Sequence, residues 1–138
     1  MEIGVSIKGL DDDERKLIDA TLAILEAMYS KDAARYASLV VDDVTSIEPY
    51  IAPYRIEGLG FHLSLITDGG NAFPARLDLL TPRVQLYGTT GVVSYTLLKT
   101  FSTNDHSEFA TINETRVFAK IGDSWKMVHL HKSPTSQR

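Results

Sequence analysis

The sequence predicts an α+β fold in which helices come first and a run of mainly antiparallel strands follows. Between Leu17 and Met28, apolar residues recur at helical spacing. From residue 75 onward, apolar and polar residues alternate instead, which is the two-residue period of a strand. A chain of 138 residues, of which 43% are hydrophobic, is expected to form one domain around one core.

Three helices are predicted before most of the strands. The first spans residues 11–29 and opens with Asp11-Asp12-Asp13-Glu14, whose carboxylates cap free amides and oppose the helix dipole. Asp32 is the predicted N-cap of a second helix that ends at residue 39. A third helix is predicted over residues 56–66, where two glycines lower helix propensity.

One short strand is predicted at residues 44–47, between the second and third helices. The other strands are predicted at residues 75–80, 83–87, 91–101, 108–120 and 124–131. The breaks between them carry turn residues, such as Gly122-Asp123 in the last hairpin. Residues 1–9 and 133–138 are expected to be loosely held ends of a single domain 1–138, with an ordered core at about residues 10–133.

Composition excludes several classes of function. The formal net charge is −4 and the basic residues are scattered, which disfavours nucleic-acid binding because phosphates need clustered Lys and Arg. No apolar run is long enough to cross a bilayer, and the first ten residues lack the pattern of a secretory signal, so a cytoplasmic protein is expected. Without cysteine there are no disulfides, thiolate metal sites or cysteine nucleophiles.

The most informative segment is residues 112–133, which predicts two strands joined by a tight hairpin. Glu114, Arg116 and Phe118 share one face of the first strand, and Val128, Leu130 and Lys132 share one face of the second. Two cations therefore interrupt apolar strand faces. A buried charge is costly unless it is paired or lines a cavity that an anion can enter.

These residues resemble the association (hub) domain of calcium/calmodulin-dependent protein kinase type II. The similar elements occur in the same order and cover most of the chain from residue 36 to residue 134: Ile47-Glu48-Pro49, Glu57-Gly58-Leu59 with Phe61-His62, Pro82-Arg83-Val84-Gln85-Leu86-Tyr87-Gly88, Glu114-Thr115-Arg116-Val117-Phe118 and Val128-His129-Leu130-His131. The resemblance implies a cystatin-like, nuclear transport factor 2-like (SnoaL-like) cone, with N-terminal helices in the concave face of a strongly curved sheet and a pocket at its open end.

The resemblance also implies residues of that pocket. Arg116 matches a pocket-lining arginine of the family, and Lys132 occupies the position of another, so a positive charge is kept without the planar fork of an arginine. His62 completes the cluster, whereas Leu97 replaces a third family arginine. The alternative is that Arg116 pairs with Glu48 or Glu114 in an internal salt bridge and binds nothing.

The leading hypothesis is a stand-alone oligomerisation domain with a basic-lined pocket for a small carboxylate or similar anion. Its pocket residues are Arg116, Lys132, His62, Glu48, Tyr36 and Glu114. It has no kinase activity of its own, because the nucleotide loop and catalytic-loop motifs of kinases are missing from the sequence. A homodimer is the minimal expectation, since apolar residues occupy both faces of the predicted sheet and helices cover only one. The resemblance implies larger rings of such dimers.

The alternative hypothesis is a small lyase, isomerase or cyclase that acts on an apolar or carboxylated metabolite. Related cone folds include such enzymes, and Glu48, Tyr36, Tyr50, His62 and Glu114 offer acid–base groups. No dyad spacing of those enzymes is recognisable, so no catalytic residue is assigned. No cofactor or metal is expected either, because His129 and His131 are only two ligands on one side of a strand.

Overall fold

The computed structural model describes residues 1–69 and 73–136. Its three helices are α1 (Asp12–Tyr29), α2 (Ala33–Leu39) and α3 (Leu59–Asp68). Its seven strands are β1 (Glu2–Val5), β2 (Val40–Ile47), β3 (Ile56–Glu57), β4 (Arg76–Tyr87), β5 (Thr90–Ser102), β6 (Ser107–Ile121) and β7 (Ser124–Pro134). This confirms the predicted α+β class.

The strands form one sheet in the order β1-β4-β5-β6-β7-β2-β3. The β1–β4 and β2–β7 pairs are parallel, and the other four pairs are antiparallel. All three helices lie on one face, where α1 contacts β4, β5 and β7, and α2 and α3 contact β2. We call this helix-covered side the inner face and the opposite side the outer face.

The helix starts follow from their caps. Asp11 accepts a hydrogen bond from the Glu14 amide at 2.8 Å, and the Glu14 carboxylate accepts one from the Asp11 amide at 3.1 Å, which forms a capping box. Asp32 caps α2 through the Arg35 amide at 3.0 Å, as predicted. The third helix starts later than predicted, because residues 56–57 pair with β2 and Gly58 has a φ of 96°.

The core lies between α1 and the inner face of the sheet. Leu17, Ile18, Ile24 and Leu25 have no exposed surface, and they pack against inner-face residues of β4 to β7. Leu17 packs directly over Gly91, where an added Cβ would lie 2.4 Å from Cδ1 of Leu17. The alternation in β5 and β6 therefore sets which side chains meet the helices.

Three expectations about strands were wrong. The N-terminal segment is not a loose end, because Glu2–Val5 pairs in parallel with β4 and its Ile3 and Val5 pack against the core. The two strands predicted at residues 75–80 and 83–87 are one strand with a register shift, where Thr81 adopts a φ of 47°. Val128 does not share the buried face of Leu130, since a register shift between the Phe118–Met127 and Val117–His129 pairs makes it an extra residue.

The C-terminal end is also held further than expected. Ser133 and Pro134 pair with Asn113 and Ile112 of β6, so β7 continues three residues beyond the predicted strand. Gln137 and Arg138, which were predicted to belong to a loose end, lie outside the described residues. The extent of the domain, residues 1–138, stays a prediction.

Candidate functional site

A cavity of about 460 Å³ opens between the ends of α1, α2 and α3 and the inner face of the sheet. This volume falls within the range of roughly 300–1,000 Å³ that is typical of small-molecule pockets. Apolar and aromatic side chains dominate its wall, with charged groups at the base and the mouth. The wall is formed by Met28, Tyr29, Lys31, Tyr36, Glu48, Tyr50, Ile51, His62, Leu65, Ile66, Gly69, Phe73, Lys99, Phe101, Ile112, Leu130 and Lys132.

A chain of hydrogen bonds crosses the base of this cavity. The Ser46 hydroxyl donates to Oε2 of Glu48 at 2.9 Å, so it has no proton left for His62. His62 Nε2, 2.9 Å from the same hydroxyl oxygen, must therefore carry the proton of that contact. Its Nδ1 lies 3.1 Å from the Tyr36 hydroxyl and, in the neutral ring, accepts a hydrogen bond from that hydroxyl. The network thus assigns the Nε2–H tautomer to His62.

Local structure positions each member of this chain. Tyr36 is the buried residue of α2, and His62 lies on the sheet-facing side of α3. Ser46 comes from β2, and Glu48 follows the end of that strand, where its carbonyl accepts from the Ile51 and Ala52 amides at 2.8 and 3.1 Å. Two helices and one strand therefore converge on one carboxylate.

Lys132 on β7 joins this chain to a second carboxylate. Its ammonium group lies 3.1 Å from Oε1 of Glu48 and 3.9 Å from Oε2 of Glu114. Only 14% of the Lys132 side chain is exposed, so both contacts are poorly screened by water. Oε2 of Glu114 is buried and accepts no hydrogen bond from any described residue.

Arg116 lies beneath the cavity and is fully buried. Its Nε donates to the Tyr95 hydroxyl at 2.8 Å, and a terminal nitrogen donates to Oε1 of Glu114 at 3.2 Å. The Tyr95 hydroxyl in turn donates to the same carboxylate oxygen at 2.6 Å, and the remaining terminal nitrogen contacts Sδ of Met127 at 3.3 Å. The internal salt bridge with Glu114 that was one of the two sequence-based alternatives is therefore present.

The six predicted pocket residues form one connected cluster, but in two layers. Tyr36, Glu48, His62 and Lys132 line the cavity, whereas Arg116 and Glu114 lie below it. Leu97, which the resemblance suggested in place of a family arginine, is fully buried in the inner face. The two cations of the cluster are matched by two carboxylates, so its base carries no net charge when His62 is neutral.

Three groups of the cluster, Glu48, Glu114 and Tyr36, are each held in one protonation state. Burial pushes the pKa of Glu48 up, but the nearby His62 Nε2, 3.5 Å from Oε2, together with the charge of Lys132 and the hydrogen bond from Ser46, outweighs it and lowers the pKa to about 2. Burial likewise opposes ionisation of Glu114, yet Arg116 and Lys132 bring its pKa below the usual range. Burial raises the pKa of Tyr36 to about 12, so the phenol remains a donor to His62.

Two further lysines lie at the mouth of the cavity, and sequence reasoning missed both. The Lys99 ammonium lies 5.7 Å from the centre of the Tyr29 ring, and the Lys31 ammonium lies 5.6 Å from the centre of the Phe73 ring. The alternation of β5 could have revealed Lys99, because it shares the inner-face parity of Tyr95 and Leu97. Lys31 follows the C-cap of α1, where no periodic pattern in the sequence could have indicated its place at the cavity.

The histidine pair of β7 lies away from the cavity. Nδ1 of His129 lies 2.7 Å from the Thr45 hydroxyl, and the rings of His129 and His131 are 6.4 Å apart. Burial and the neighbouring His131 lower the pKa of His129. Among the described residues, no group of three or more His, Cys, Asp or Glu side chains is arranged to hold a metal ion.

Tyr50, a candidate acid–base residue, lies at the cavity mouth with 71% of its surface exposed.

Comparison with known proteins decides the family. The model of the calcium/calmodulin dependent protein kinase II association domain matches residues 13–136. The chain belongs to this association-domain family. Calcium/calmodulin-dependent protein kinase type II of Caenorhabditis elegans is 28% identical over 130 residues, which cover 93% of this chain and 18% of that protein. The alpha chain of the Drosophila melanogaster kinase is 27% identical over 89% of this chain and 24% of its own length. The chain thus spans about a quarter or less of these relatives.

Solved association domains match the whole fold. The hub homology domain of Chlamydomonas reinhardtii superposes with a TM-score of 0.79 at 26% identity, covering 91% of this chain and 100% of that one. The hub of S. rosetta gives a TM-score of 0.78 at 28% identity and covers 91% of this chain and 98% of that one. This agreement confirms the resemblance that the strand motifs predicted.

More distant structures confirm the nuclear transport factor 2-like fold. A putative ketosteroid isomerase from Parabacteroides distasonis has a TM-score of 0.74 at 22% identity. A putative dehydratase of the NTF2-like family from Streptomyces avermitilis has a TM-score of 0.69 at 21% identity. At this identity the likeness concerns the fold alone.

In the described part of the chain, no helix is long and apolar enough to span a membrane.

Proposed function

We propose that this association domain assembles with copies of itself through the outer face of its sheet. Membership of the association-domain family over residues 13–136 supports this proposal, and the outer face supplies a physical reason for it. Self-association buries apolar surface that the helices of the described residues leave uncovered.

The outer face carries apolar side chains at several positions of the central strands. Val92 and Val117 are register partners on β5 and β6, and both side chains are only partly buried, on the face opposite the three described helices. Further along the same sheet, Leu80 is 39% exposed and Phe109 is 66% exposed. Exposed apolar surface of this kind on a sheet is characteristic of an interface between subunits.

Size-exclusion chromatography with light scattering tests the assembly. One chain has a mass of 15.3 kDa, and we expect a multiple of that mass at micromolar concentration. Val117→Lys places a charge beside Val92 on the outer face and should shift the chain toward the single-chain mass. Ala34→Lys, at an exposed position of α2, is the matched control and should leave the mass unchanged. A wild-type chain that elutes with the mass of one subunit refutes the proposal.

The cavity is the second part of the proposal, as a binding site for a small carboxylate or similar anion. Three lysines and a single carboxylate stand among the residues of its wall, namely Lys31, Lys99, Lys132 and Glu48. This local excess of positive charge contrasts with a chain whose formal net charge is −4. A cleft with low-dielectric walls focuses such a field toward an incoming anion.

Acid–base catalysis is less well supported than binding. A general acid or base works best when its pKa is close to the working pH, yet Glu48 has a pKa of about 2 and Tyr36 one of about 12. The Glu48 carboxylate and the Tyr36 phenol are thus each held in one protonation state. Incubation with a panel of carboxylated and carbonyl metabolites tests this; turnover that Glu48→Gln abolishes would favour the enzyme hypothesis.

A further inference from the structure

The cations at the base of the cavity are poorly placed to receive an anion. Arg116 is fully buried and bound to Glu114 and Tyr95, and Lys132 lies between Glu48 and Glu114. An incoming carboxylate that approached either cation would also approach one of these carboxylates. Repulsion between like charges at such short range offsets the attraction.

Among the described residues, the lysines at the mouth form no such close ion pairs, although the charge of Lys99 contributes to the lowered pKa of Glu114. Neither Lys31 nor Lys99 forms an ion pair with a carboxylate of residues 1–69 and 73–136. Each ammonium group lies instead near an aromatic ring, at 5.6 Å from Phe73 and 5.7 Å from Tyr29. A cation–π contact of this kind is weak and leaves the donor hydrogens of the ammonium group available.

Between the mouth and the base, the wall of the cavity is apolar. Met28, Leu65, Ile66, Phe101 and Ile112 provide this surface. A ligand that consisted only of a small charged group would leave it in contact with water. An apolar body of moderate length would cover it and gain the free energy of removing both surfaces from water.

We propose that the cavity binds amphiphilic carboxylates, with the carboxylate at Lys31 and Lys99 and the apolar body directed inward toward the base, where the cations are paired with carboxylates. This inference rests on the proposed anion-binding function and reverses the orientation expected from the sequence, which placed the anion at Arg116. It also assigns a role to two lysines that no sequence motif identified. The charge-balanced base then acts as the polar floor beneath the apolar body.

Isothermal titration calorimetry with three probes tests the ligand class. Octanoate carries both a carboxylate and an apolar chain, octanamide lacks the charge, and butyrate lacks most of the chain. We expect octanoate to bind at least tenfold more tightly than either control, which is roughly the loss expected for one charge-assisted hydrogen bond or for a few buried methylenes. Equal affinity for octanoate and butyrate would overturn the inference about the apolar body.

Variants at the mouth test the position of the carboxylate. Lys31→Met with Lys99→Met should weaken octanoate binding by roughly tenfold or more, whereas Lys99→Arg should retain it because the charge is kept. Lys120→Met, an exposed lysine outside the cavity wall, is the matched control. Circular dichroism and light scattering establish that each variant keeps its fold and assembly.

The outcomes separate the two proposals. If octanoate binds the wild-type chain and the double variant equally well, the carboxylate lies elsewhere and this inference is wrong, while an anion-binding cavity remains. If none of the three probes binds the wild-type chain at millimolar concentration, both the inference and the anion-binding function fail. Self-association is measured independently and is unaffected by either result.

Discussion

Replacing Glu48 by Gln tests whether the polar base of the cavity stabilises the fold. The substitution keeps the size of the side chain but removes the charge that contacts Lys132 at 3.1 Å. The Glu48 pKa falls from 4.5 to about 2 in the folded chain, which corresponds to about 3 kcal/mol of stabilisation when the carboxylate is ionised. Because Glu48 is only 5% exposed, solvent screening reduces this figure little. We therefore expect Glu48→Gln to lose about 2–4 kcal/mol of unfolding free energy at pH 7.

The pH dependence of this loss identifies its cause. The folded pKa is depressed, so the contribution of Glu48 is fully present above about pH 4.5 and disappears as the pH falls toward 2. The difference between wild type and variant should shrink over that window. Urea denaturation at fixed protein concentration, repeated from pH 7 to pH 3, measures it. Glu57→Gln is the control, because its exposed ion pair with Arg55 contributes little. A loss below 1 kcal/mol at pH 7, or a loss independent of pH, would refute the reasoning.

Three other predictions concern packing and charge. Arg116→Met should destabilise the chain by about 3–5 kcal/mol in urea denaturation, because Glu114 would remain buried without its closest cation; a loss below 1 kcal/mol contradicts that pairing. Gly91→Ala should cost about 1–3 kcal/mol, since the new Cβ would meet the Leu17 side chain at 2.4 Å, and a thermal melt that matches wild type counts against this packing. His106 should titrate above 6.5 by NMR, because hydrogen bonds to two neighbouring carboxylates raise its pKa; a value at or below 6.5 rules those contacts out in solution.

The sequence predicted the fold well wherever local signals were strong. The acidic run at Asp11 and the cap at Asp32 marked the starts of two helices correctly. Local signals failed where pairing with a distant strand decides the structure. Four residues at the N-terminus form β1 because they pair with the edge of β4. A segment this short has no periodic pattern from which the pairing could be predicted.

The sequence predicted which residues form the candidate site, but not which of them line the cavity and which lie beneath it. Two-residue alternation correctly placed Glu114 and Arg116 on the inner face, and the family motifs added Glu48, His62 and Lys132. Which carboxylate neutralises which cation depends on distances of a few tenths of an ångström between separate elements. A linear pattern carries no such information, so both sequence-based alternatives for Arg116 stayed open until its contacts were known.

The way these charges are paired determines where a ligand gains affinity. A buried ion pair with satisfied hydrogen bonds holds its side chains in place, but its two charges neutralise each other and attract a charged ligand only weakly. At the base of this cavity the pairing is nearly complete, with Glu48 bound by Ser46 and Lys132 and with Arg116 bound by Glu114. At the mouth, the lysines contact aromatic rings and keep their charge available. Electrostatic attraction is therefore strongest where the apolar wall begins, which is the geometry that suits an amphiphile better than a small ion.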